Sequence, residues 1–231
     1  MAKILNIESS TTMCSVSLGV DGECADFSEL NDGFSHAELL AVYVDEILKR
    51  NQLTVGQLDA VAVSMGPGSY TGLRIGVSLA KGLCFAQNLP LISVPTLQNM
   101  CLHPKVKKQV NFYKDLLLCP MLDARRMEVY TAMYDVGLSC IKDVEALVLE
   151  PESFDTYLNQ EGVLFFGSGS DKFREIITHE SAYFAEGVWP SAQFMAGLSN
   201  MKFENNEFED VAYFEPFYLK EFMATTPKKL L

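Results

Sequence analysis

The sequence predicts an α/β protein of two similar lobes separated by a cleft. Strand-period and helix-period segments alternate along its 231 residues, and the order of elements in the first half, βββαβαβα, returns in the second without a repeat of the residues themselves. This divides the chain into a first lobe at 1–110 and a second at 111–231.

Residues 3–10, 13–20 and 23–30 read as three short strands, with Asp21-Gly22 as a tight hairpin signal between the last two. Ser35-His36-Ala37-Glu38 has the form of a capping box. It opens a helix to about Asn51 with Leu40, Val44, Ile47 and Leu48 on one side. A strand at 60–65, a glycine-rich loop and helix to about Asn88, a strand at 90–94 and a helix from Thr96 complete the first series. The second series has strands at 115–122, 127–136 and 140–149 with a turn at Gly137. A helix after Pro151, a strand at 162–168, a helix at 171–178, a strand near 182–187 and a helix from Ser191 follow.

Hydrophobic residues make up 48% and charged residues 21%, and no apolar run approaches the roughly 20 residues of a membrane span. The N-terminus, MAKILNIESS, lacks the apolar core and cleavage site of a secretory signal, so a cytoplasmic location with no membrane partner is expected. Cys14, Cys24, Cys84, Cys101, Cys119 and Cys140 form no C-x-x-C pair and read as reduced, buried thiols rather than metal ligands. A net charge of −12 repels polyanions, so any nucleic acid must be held mainly by another chain.

The stretch VAVSMGPGSYTGLRIGVSLAKGL at 61–83 has the strand-loop-helix form of a phosphate loop, yet fits neither standard spacing. There is no lysine where a Walker A loop needs one, and Thr71 stands where the third glycine of a dinucleotide loop belongs. At about 100° per residue the apolar and small residues of its helix, Leu73, Ile75, Gly76, Val77, Leu79, Ala80, Leu83 and Ala86, span roughly 200°, twice what one sheet face covers. Gly72, Gly76 and Ala80 form a strip that another backbone can approach. The covering element is either the helix after Ser35 of the same chain or a partner. Each lobe also carries an acid at its first hairpin, Glu8 in IESSTT and Asp123 in LDARRM. Facing across a cleft, the two could hold a hydrated magnesium ion beside a nucleotide; the alternative is that each only receives turn hydrogen bonds.

ILNIESSTTMCSVSL, FSHAELL, the 61–83 stretch with PLISVPTLQNM, LDARRMEVY and PFYLKEF together resemble the bacterial TsaB (YeaZ) family, closely over the first 100 residues and through short motifs beyond. The resemblance implies a duplicated actin-like, sugar-kinase-like (ribonuclease H-like) fold. It also implies the non-catalytic, dimerising and activating partner of TsaD in tRNA threonylcarbamoyladenosine synthesis. Partners would be a TsaD-like subunit, a TsaE-like ATPase and, in their absence, a second copy, with tRNA reached only through the complex. In that reading the partner interface comprises Leu40, Tyr43, Val44, Ile47, Gly72, Leu73, Ile75, Gly76, Leu79, Ala80 and Leu83. Glu8, Ser9, Ser10, Thr11 and Asp123 line a vestigial nucleotide cleft.

The paralogue's metal-binding H-x-x-x-H aligns with Thr96 and Met100, neither of which is a ligand for such a metal. Its C-terminal nucleotide motifs have no equivalent beyond FFGSGSDKF at 165–173, which reads equally as an anion-facing turn or a plain tight one. His36 resembles a histidine of the paralogue but reads as structural. The chain is therefore expected to hold no tightly bound cofactor, ATP and metal residing on its partners. The rival readings are an ATP-dependent phosphotransferase built on Glu8 and Asp123, and a metallopeptidase.

Overall fold

The structure, a computed structural model, describes residues 1–33, 36–113 and 116–220. The first sheet contains β1 (Lys3–Glu8), β2 (Met13–Val20), β3 (Glu23–Asn31), β4 (Ala60–Gly66) and β5 (Leu91–Pro95), in the order β3-β2-β1-β4-β5. β6 (Leu116–Asp123), β7 (Glu128–Tyr134), β8 (Cys140–Val148), β9 (Gly162–Phe166) and β10 (Ala182–Ala185) form the second sheet in the order β8-β7-β6-β9-β10. In both, the first three strands pair antiparallel and the last two add parallel to the first. The repeat read from element order is thus a repeat of topology, the duplicated actin-like fold. At the β2–β3 turn Asp21 and Gly22 both take positive φ, 48° and 83°, as a tight Asp-Gly hairpin requires.

Helix α1 (His36–Arg50) packs on β2 and beside α2 (Tyr70–Gln87), burying Leu40, Val44, Ile47 and Leu48. Ser35 of the expected capping box lies outside the described residues; His36, the first helical residue, sets Nε2 3.2 Å from the Met13 carbonyl oxygen and is buried. Ser69 caps α2, its Oγ accepting from the Gly72 N–H, and Asn88 ends it in a left-handed conformation.

The lobes exchange helices. α3 (Thr96–Cys101) and α4 (Pro104–Val110), which end the first half of the sequence, send Leu97, Met100, Cys101 and Val106 into a core with Leu116, Leu118 and Phe166 of the second sheet. α7 (Ala196–Glu204), at the end of the second half, packs on β1, β2 and β5, placing Leu198 against Ile4, Ala62 and Ile92. Short helices α5 (Asp155–Leu158) and α6 (Ser170–Arg174) cover the second sheet's other face around Phe154, Phe165 and Phe173. Beyond α7 the chain returns along the first lobe. Glu209 bridges Leu91, Lys81 Nζ donates to the carbonyls of Ala212 and Phe214, and the Phe217 N–H donates to Met65 O. Four cysteines are buried as expected, whereas Cys24 and Cys140 are exposed because β3 and β8 are edge strands.

Candidate functional site

Gly72 and Gly76 lie against the β1–β2 turn of their own chain. A Cβ on Gly72 would stand 2.1 Å from the Ser9 carbonyl oxygen, one on Gly76 2.1 Å from Ser9 Oγ, and one on Gly68 2.1 Å from the Ser10 carbonyl oxygen. Two hydrogen bonds fix the approach: Ser9 Oγ donates to Gly72 O at 2.9 Å and the Ser69 N–H to Ser10 O at 2.6 Å. The small-residue strip therefore belongs to the core and does not await a partner. The helical arc looked too wide because four intramolecular surfaces cover α2: its sheet, the β1–β2 turn, α1 and the segment after α7. The interface expected from sequence divides accordingly. Leu40, Val44, Ile47, Gly72, Leu73, Gly76 and Ala80 are buried within the first lobe, while Tyr43, Ile75, Leu79 and Leu83 remain half-buried along α1 and α2.

Closure of this turn also corrects the expected nucleotide cleft. Glu8, Ser9 and Ser10 are fully buried and Thr11 is half-buried. Glu8 Oε1 accepts from the Ser10 N–H at 2.7 Å and Ser64 Oγ at 2.9 Å, and Oε2 lies 3.5 Å from Asn99 Nδ2, which also donates to Ser191 O. Burial raises the Glu8 carboxyl pKa above its ordinary value of 4.5, against the opposing pull of hydrogen bonds from Ser10, Ser64 and Asn99. Asn99 turns its Nδ2, not its unpartnered Oδ1, toward Glu8. Sealed among hydroxyls and an amide, the Glu8 carboxyl is closed off from solvent and is not presented to a nucleotide phosphate or its metal.

Asp123 sits elsewhere, half-exposed, its Oδ1 accepting from the Arg125 N–H at 2.6 Å and from Lys172 Nζ at 2.7 Å. The two carboxylates share no partner, and turn hydrogen bonding accounts for both. Among the described residues no three His, Cys, Asp or Glu side chains form a metal-binding group, and no helix is long and apolar enough to cross a membrane. Thr96 and Met100 are buried in α3. In FFGSGSDKF, a Cβ on Gly167 would collide with Met121 O at 2.4 Å, and the Gly169 N–H already donates to that oxygen, so the segment is a packed turn.

Sequence reasoning missed Ser64 and Asn99 as partners of Glu8. Ser64 is a buried polar residue in an otherwise apolar strand, VAVSM, and that mismatch is the signal that could have found it; Asn99, among Thr96 and Gln98 in TLQNMC, carries no such signal. It also missed residues 205–220 as a strap. Tyr218 packs against Tyr70 at a tilt of 42° with centroids 5.0 Å apart, and the Arg74 guanidinium lies 4.3 Å from the Tyr70 ring centre.

At the β6–β7 turn Arg125 and Arg126 both take positive φ, 73° and 50°. This conformation costs an L side chain about 1–2 kcal/mol per residue.

The family model for TsaD, tRNA N6-adenosine threonylcarbamoyltransferase, matches residues 34–224. The tRNA threonylcarbamoyladenosine biosynthesis protein TsaB of Escherichia coli is 30% identical over 96% of both chains, and that of Haemophilus influenzae 28% identical over 98% of this chain and 96% of its own. YeaZ from Pseudomonas aeruginosa has the same fold, with a TM-score of 0.78 at 23% identity, covering 95% of this chain and 100% of its own. A tRNA N6-adenosine threonylcarbamoyltransferase from Ruegeria sp. is 38% identical, but over only 43% of this chain and 28% of its own. With its duplicated fold and near-full-length match, the chain belongs to the TsaB (YeaZ) family.

Proposed function

We propose that this chain serves tRNA threonylcarbamoyladenosine biosynthesis as a non-catalytic subunit that binds and activates a TsaD-type transferase. The closed β1–β2 turn carries the reading: Gly68 and Gly72 pack on Ser9 and Ser10 and Glu8 is buried, so the turn leaves no open backbone amides or exposed acid for a nucleotide and its metal. The relatives named for this biosynthesis support the pathway. ATP and metal then belong to the partners, a TsaD-like subunit and a TsaE-like ATPase, and this chain holds neither tightly.

Omission tests the role. With TsaD-like and TsaE-like subunits, ATP and an unmodified tRNA transcript, modification should fall to background without this chain; undiminished modification would refute the activator reading. The half-buried row of Tyr43, Ile75, Leu79 and Leu83 is the contact we assign to the TsaD-like subunit or, in its absence, a second copy. Leu79→Glu places a charge in that contact and should weaken association at least tenfold, about 1.4 kcal/mol. Sedimentation of the mixed subunits measures it, and a variant that pairs normally removes this face from the interface.

A further inference from the structure

Two motifs singled out in the sequence, LDARRMEVY and PFYLKEF, have no part in the proposed role, yet the fold brings the first together with residues 216–220 of the second. Lys220 pairs with Glu128 across 92 residues, and Lys172 Nζ lies 2.7 Å from Asp123 Oδ1. Both acids flank the turn that carries Arg125 and Arg126. That turn is braced by the Ala124 N–H donating to Glu128 O at 3.0 Å and the Glu128 N–H to Arg125 O at 3.1 Å. Hairpins place Asn and Gly at such left-handed positions because a larger side chain is disfavoured there. Here two exposed arginines occupy them, and with the neighbouring carboxylates taken by lysines, neither guanidinium has an ionic partner among the described residues. Two residues before Lys220, Tyr218 meets Tyr70 at a tilt and accepts a hydrogen bond from Arg74 Nε. Contacts through Asp123, Glu128 and Tyr218 thus link the elements that carry Arg74, Arg125, Arg126, Lys172 and Lys220 in a chain whose net charge is −12.

We propose that these basic residues form a strip, centred on Arg125 and Arg126, that binds the sugar–phosphate backbone of tRNA within the assembled complex, an inference that rests on the proposed function. A guanidinium fork matches two phosphate oxygens and keeps its charge at any working pH. Neighbouring forks on a rigid hairpin can each take a phosphate, and Arg74, beside Tyr70 and Tyr218, adds a third guanidinium. The acidic remainder of the chain keeps the strip from capturing RNA alone, so it acts when a partner holds the RNA against it.

The test uses the reconstituted complex and an unmodified tRNA transcript. Arg125→Asn combined with Arg126→Gly keeps a turn that favours positive φ and removes both charges, so the variant should melt at or above the wild-type temperature. At about 0.1 M salt its complex should bind tRNA about tenfold more weakly, and the slope of log K against log salt should shrink by about 1.4 to 1.8, the release expected from two phosphate contacts. Unchanged affinity and slope in a complex that needs this chain for modification would overturn the strip. So would loss of a partner subunit from the variant complex, which would make the arginines a protein contact. Modification that proceeds without the chain refutes the role itself, and that result is read in a separate reaction.

Discussion

Gly72→Ala, an addition of one methyl group, will lower the melting temperature by roughly 6–12 °C or more. The new Cβ would stand 2.1 Å from the Ser9 carbonyl oxygen, a backbone atom that cannot rotate away. Either α2 lifts from the sheet or the β1–β2 turn moves, and the turn is tied to Glu8 and to the α2 N-terminus through Ser9 Oγ and the Ser69 N–H. Overpacking of this kind costs about 3 kcal/mol, and about 2–4 °C follows from each kcal/mol in a chain of this size. Gly76→Leu should do as much, because its side chain must displace Ser9 Oγ from a buried hydrogen bond. Gly82 supplies the control on the same helix: a Cβ there meets nothing within 4 Å, so Gly82→Ala should stabilise by about 0.5–1 kcal/mol. Calorimetry of the three variants decides. A Gly72→Ala chain that melts like wild type but fails to pair would return the strip to an intermolecular contact.

The fold was legible because strand alternation, the Asp21-Gly22 turn and the amphipathic helix at 36–50 are local signals, and because repetition of their order constrains topology. Burial on α2 was not legible. Helical periodicity states how much of a helix must be covered and nothing about what covers it. Here the cover includes Ser9, 63 residues away in sequence from the Gly72 it bonds, and Phe214, 133 residues from Lys81. The exchange of α3 and α7 between lobes was hidden for the same reason, since a boundary drawn at residue 110 follows the repeat and the cores do not. Glu8 was recognised as a residue of interest, but its state depends on Ser64 and Asn99, which lie on other elements and meet it only in three dimensions.

Glu8→Gln will leave the protein folded and will gain stability relative to wild type as pH rises, whereas Glu8→Ala will lose about 2–4 kcal/mol at pH 5. Alanine strands the Ser10 N–H and the Ser64 hydroxyl, each a buried donor that costs about 1–3 kcal/mol without an acceptor. Glutamine keeps an acceptor for both. The pH dependence follows from the raised carboxyl pKa. Above the ordinary value of 4.5 the unfolded chain releases the Glu8 proton while the folded chain retains it, so wild-type stability falls with rising pH until the folded group also ionises. Glutamine has no proton to lose. Denaturant midpoints for wild type and Glu8→Gln at pH 5 and pH 8 should therefore diverge, with the variant ahead at pH 8, and the difference cancels the titration of every other carboxylate. Parallel midpoints would mean that Glu8 is ionised in the fold. A Glu8→Gln chain that folds and pairs yet supports no tRNA modification would place an acid–base function on this residue; retained modification is the expected result, because a side chain sealed from solvent behind Ser10 and Gly68 has no substrate to reach.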